Sequence, residues 1–190
     1  MAEADLEVDG PALGRIAERL VANELERLGF RVTTLNREGN SDNADLLAAR
    51  EGTVYQVQVK GANNKRLPNG KLDDWWVTYG FCTNEIIAQQ EPMFNRKKAF
   101  YHANVVVLVA IRNLREYRCL VMPVSEAESA AQHAVDHGYR NLKADGTPKK
   151  PHIVWTQLDK PRARQDKSVA SAIAAEYALI EKYRDNWKWL

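Results

Sequence analysis

Only two cysteines occur in 190 residues, Cys82 and Cys119, far apart and outside any C-x-x-C spacing. That scarcity argues against a disulfide framework and a thiolate zinc site, both of which need paired or clustered thiols. Each therefore reads as a core or surface thiol. Long apolar runs are also missing. No stretch approaches the roughly eighteen consecutive apolar residues of a bilayer-spanning helix, so no membrane partner is expected. The opening MAEADLEVDG is acidic, where a secretory or organellar leader would be basic and then apolar. A cytosolic protein is the expectation. The residues present are 45% hydrophobic and 27% charged, the balance of a folded globular chain. The length suits one domain over residues 1–190.

Net charge is only +2, yet it is unevenly spread. Residues 1–59 hold 6 basic and 11 acidic groups, whereas residues 60–119 hold 10 and 5. Positive charge begins at Lys60. Such asymmetry suits a polyanion-binding surface and equally a face merely solvated by lysines.

Apolar residues recur at helical spacing over residues 11–28, and Gly29 follows as a stop signal. Short strands are expected over 31–35, 45–49 and 53–60, the last two joined at Glu51-Gly52. Residues 61–102 mix turn and helix signals and read as an insertion, in which WWVTYGF suits a strand. ANVVVLVAI, from Ala103, is apolar on both faces, as a covered strand is, and YRCLVMPV is its expected hairpin partner. Ser125 and Glu128 form a candidate capping box for a helix to about residue 137. A strand over 152–158 and a long packed helix over 168–190 complete the chain. The expected fold class is α/β, a mixed central sheet flanked by helices.

One stretch carries chemistry. Asp45 opens a strand, and Gln58 and Lys60 alternate on the next, on one face because side chains repeat every two residues. An unpaired ammonium in an apolar run costs several kcal/mol, so Lys60 needs a reason to be there. Paired strands can bring a carboxylate, an amide or main-chain oxygen, and a lysine together. Oxygen ligands of this kind suit a hard ion such as Mg²⁺ or Mn²⁺, which acidifies bound water and stabilises charge at phosphorus.

At these residues the chain resembles a known family. Gly14 and Glu18 on the first helix, the Leu28-Gly29-Phe30 turn, Asp45 and Gln58-Val59-Lys60 look like the PD-(D/E)XK nuclease superfamily. The helix-one pattern is most similar to archaeal Holliday junction resolvases, and the Gln-x-Lys variant to Mrr-like restriction nucleases. The match spans about residues 10–62. It implies a restriction-endonuclease-like αβββαβ core and Mg²⁺-dependent hydrolysis of DNA phosphodiester bonds. It further implies that Glu18 and Asp45 are metal ligands, the Val59 carbonyl another, and Lys60 the catalytic lysine. Two positions depart from the pattern: Gln58 stands where most members carry an acid, and Ala44 where the motif has proline. Gln58 keeps a carbonyl oxygen but removes one ligand charge.

Plainer readings stand beside these. Asp45 can cap a turn, Lys60 can reach solvent at a strand end, and Glu24 lies nearer than Glu18 to the middle of the helix's apolar stripe. Lys65, Arg66, Lys71, Arg96, Lys97 and Lys98 are a candidate phosphate-contacting rim or a solvated face. Trp75-Trp76 can stack on bases or fill a core. His133 and His137 are a weak candidate metal pair. Cutting both strands needs two sites, so a homodimer is expected. The alternatives are a nuclease fold that only binds nucleic acid or a protein partner, and a structural or toxin-like module; RNA stays open as substrate.

Overall fold

The computed structural model describes residues 8–35, 44–64, 75–80, 103–136, 153–158 and 170–190. Helix α1, Gly10–Arg27, starts where Asp9 Oδ1 accepts the Ala12 N–H at 2.7 Å and ends before Gly29, as its periodicity predicts. Strands β1 (Arg31–Thr34), β2 (Leu46–Arg50) and β3 (Thr53–Asn63) follow as an antiparallel meander. The β2–β3 link is a two-residue turn with positive φ at both Glu51 and Gly52 (51° and 81°), the geometry whose twist matches paired strands.

β3 then pairs in parallel with β5 (Val105–Ile111), which pairs antiparallel with β6 (Tyr117–Pro123). The sheet order is β1-β2-β3-β5-β6, a mixed five-stranded sheet. The α/β expectation is met. β5 lies between β3 and β6 and is buried at every position, which accounts for its apolar run on both faces.

Alternation sorts each strand's residues into two layers. Val57, Val59, Val105, Val107 and Val109 pack with Ala17, Val21 and Leu25 of α1 on one face. Val106, Leu108 and Ala110 pack on the other with helix α2 (Val124–Asp136) and helix α3 (Ala170–Ile180). α1 comes closest at Gly61. A Cβ there would stand 3.0 Å from Ala17 Cβ and 3.3 Å from the Leu13 carbonyl oxygen, so the glycine lets helix and strand touch.

Several boundaries differ from expectation. β3 runs three residues past Lys60, because β5 continues to pair with Gly61, Ala62 and Asn63. Of the expected insertion, only 61–64 and 75–80 are described. Within it, β4 (Trp76–Gly80) pairs antiparallel with β7 (Ile153–Gln157), and Trp75 and Val77 join the α2/α3 core. Helix α2 begins at Val124, so Ser125 lies in its first turn rather than capping it.

Helix α3 is eleven residues long, shorter than its apolar stripe suggests. After a 3-10 turn, Glu181–Tyr183, the chain leaves the helix and crosses the outer edge of β6. Asp185 exchanges two bonds with Cys119, donating its N–H to the Cys119 carbonyl and accepting the Cys119 N–H on Oδ1, both at 2.8 Å. The Trp189 indole N–H donates to the Val121 carbonyl at 2.8 Å. Ile173 and Ile180 therefore pack in one layer, while Trp187, Trp189 and Leu190 pack in the other.

Candidate active site

β2 stops one residue short of Asp45, and β3 runs on past it. The Asp45 N–H still donates to the Val57 carbonyl at 2.8 Å, but the β2-side edge of β3 beyond that bond is covered by the Asp45 side chain rather than by strand. Asp45 Oδ2 accepts the Val59 N–H at 2.7 Å and a bond from the Gln58 side-chain nitrogen. Both groups are buried: Asp45 is 2% exposed and Gln58 5%. A carboxylate removed from water must be met by donors, and these two supply them.

The Val59 carbonyl oxygen lies 3.5 Å from the Gln58 side-chain nitrogen. In an antiparallel register, the N–H and C=O of one residue point to the same side, so Val59 turns both toward the edge where Asp45 sits. One carboxylate, one amide and one main-chain carbonyl thus converge. Asp45 and the Val59 carbonyl turn oxygens to this point, the hard donors a divalent ion such as Mg²⁺ takes, whereas Gln58 turns its amide nitrogen there and would offer its oxygen only with the amide rotated. Lys60 is half-buried on the Gln58 face of β3, about 7 Å along the strand.

Glu18 approaches differently. It follows Ala17, the residue pressed against Gly61, so α1 brings it to the Lys60 end of β3 from the opposite side of the sheet. Its side chain is partly exposed. Its rival Glu24 is committed elsewhere: it accepts the Tyr117 hydroxyl at 2.8 Å and pairs with Arg27 at 2.8 Å. Burial and that carboxylate bond push the Tyr117 phenol well above its ordinary range.

Other sequence candidates resolve more simply. Trp75 is buried, with the Arg112 guanidinium 3.8 Å above its ring, so it is a core residue. A His133 ring nitrogen lies 2.9 Å from the Ala172 carbonyl oxygen and ties α2 to α3. Among the described residues no group of three His, Cys, Asp or Glu side chains is placed to hold a metal; the Asp45 cluster draws instead on an amide and a peptide. Lys65, Arg66, Lys71, Arg96, Lys97, Lys98, Cys82 and His137 lie outside the described residues.

Two supporting asparagines escaped the sequence reading. Asn64, fully buried, bonds the Trp76 N–H and carbonyl at 2.8 and 2.9 Å and joins β3 to β4. Asn104 accepts the Gln56 N–H on Oδ1 at 2.8 Å and donates its own N–H to the Gln56 carbonyl at 2.9 Å. An asparagine just before an apolar strand was the available signal, since such a side chain readily bonds nearby backbone.

No protein-family model matches the sequence, and no curated protein does. A solved bacterial homing endonuclease is similar in fold. The likeness has a TM-score of 0.46 at 16% identity and covers 96% of this chain and 91% of that one.

Proposed function

We propose that the chain is a metal-dependent endonuclease hydrolysing DNA phosphodiester bonds. The observation that carries this is the convergence of Asp45, Gln58 and the Val59 peptide at an open strand edge, with Lys60 on the same face. Asp45, the Gln58 side-chain oxygen and the Val59 carbonyl would hold Mg²⁺ or Mn²⁺, with Glu18 reaching in from α1. The ion, when bound, supplies a more acidic water and charge stabilisation at phosphorus. Lys60 orients the attacking water and offsets negative charge on the phosphate oxygens. The basic residues Lys65, Arg66, Lys71, Arg96, Lys97 and Lys98 would contact flanking phosphates. Two copies would cut both strands.

One observation favours a second reading, a nuclease fold that binds nucleic acid without cutting it: the Gln58 nitrogen bonds Asp45 where most relatives in the resembled family carry a second acid. Plasmid incubated with Mg²⁺ or Mn²⁺ decides between them. The first reading expects cleavage that Asp45→Asn and Lys60→Ala each reduce at least a hundredfold with unchanged thermal melting. Unchanged cleavage in both variants ends this mechanism. DNA binding without divalent-ion binding by calorimetry selects the second.

A further inference from the structure

The face of the sheet that carries Asp45 is covered over only part of its area. Over β5 and β6 it lies under α2 and α3, and β4 lies against the end of β3. Over β1, β2 and the first half of β3 no described helix packs on it: Thr33, Gln56 and Arg31 are exposed, Val54 is 55% exposed, and Leu47 and Ala49 between them are half-buried. Strand register sets these residues in rows across the sheet. Asp45 and Gln58 form one row; Thr33, Leu47 and Gln56 form the next; Arg31, Ala49 and Val54 form a third. Rows are about 7 Å apart and neighbouring strands about 4.8 Å apart. The open patch therefore starts one row from the buried carboxylate.

We propose that this open strand face is where duplex DNA lies, with Gln56 and Thr33 touching the nucleotides next to the phosphate held at Asp45. The inference rests on the endonuclease reading and adds the substrate-contacting residues to it. Charge is compatible: among the described residues no strand position of this face on β1, β2 or β3 carries a carboxylate, Asp45 just before β2 is buried, Arg31 is exposed, and the exposed Glu51 lies in the turn at the far end. The chemistry agrees as well, since Gln, Thr and Arg supply the donors and acceptors that meet base edges and phosphates. Gln56 is also held ready, its backbone fixed by the two bonds to Asn104 while its side chain faces solvent.

The test is equilibrium binding of a fluorescent duplex with divalent ions chelated, so that it is not cut, alongside Mn²⁺ calorimetry on the same proteins. Gln56→Ala and Thr33→Ala are each expected to weaken DNA binding about 5- to 100-fold, the range of one good polar contact, and to leave Mn²⁺ binding unchanged. A charge series at one exposed position guards against misfolding: Gln56→Lys should tighten binding and Gln56→Glu weaken it beyond alanine. Equal affinities across all four variants, with the unaltered chain binding, overturn the inference and leave the endonuclease reading standing. DNA binding that obeys the series without any Mn²⁺ binding overturns the endonuclease reading and keeps the contact face. No DNA binding by the unaltered chain overturns both.

Discussion

Gln58 occupies the position on which the proposed chemistry turns. Its amide nitrogen bonds Asp45 Oδ2, so Gln58→Glu would set two carboxylates against each other in a buried site. Without divalent ions this variant should lose on the order of 2 kcal/mol of stability, because a donor becomes a repelling acceptor. Added Mg²⁺ should restore the loss and bind more tightly than in the unaltered chain, as the ligand set gains a charge. Denaturant titration with and without Mg²⁺ checks both effects. At this scale, the face shared by Asp45 and Gln58 was readable, since period two and a tight turn fix it. The choice between Glu18 and Glu24 was not. What occupies Glu24 is Tyr117, 93 residues away, and helical spacing contains no trace of that partner.

At the scale of elements, the α1–β3 contact positions one side of the site. Gly61→Val should cost about 1–3 kcal/mol through overpacking, because the Leu13 carbonyl oxygen facing it is backbone and cannot swing aside; denaturant midpoints test this. β6 carries two groups whose protonated forms folding favours. Burial pushes the Cys119 thiol up, with Asp185 and Glu24 adding to the shift, and burial with the Glu24 bond pushes up Tyr117. A raised folded pKa means that the folded state holds its proton where the unfolded chain has lost it. Stability contributed by Cys119 should thus be complete below about pH 8.5 and fall as pH rises beyond it, with Tyr117 adding to the fall above about pH 10. Tyr117→Phe should flatten the upper part of that decline in thermal melts. Element types were legible wherever the pattern was long: α1, the β2–β3 hairpin and the apolar β5. Ends were less so. β3 extends through Gly61 because β5 pairs with it, and the helical stripe does not continue to the end because Trp187 and Trp189 belong to the opposite layer.

For the whole molecule, two packed layers on one sheet leave two outer strands to manage. β1 is only four residues long and exposes Arg31, features that discourage further pairing. β6 is longer and apolar, and residues 184–190 run along it, occupying Cys119 through Asp185 and the Val121 carbonyl through Trp189. None of this crossing was legible in the sequence, where residues 168–190 scan as one helix. The stripe is real up to Ile180; beyond it, the same apolar spacing serves a different layer. Trp189→Phe, which keeps the ring and removes the donor, should cost about 1 kcal/mol, read from denaturant midpoints.

The crossing segment also acts as a stopper. With a stop codon after Tyr183, the main-chain groups of Cys119 and Val121 would face outward on a flat, hydrophobic ribbon that offers a template to any other extended chain. Such a truncated protein should scatter light and form intermolecular sheet at concentrations where the intact chain stays clear. Solubility would then depend on seven residues that lie away from the proposed metal site.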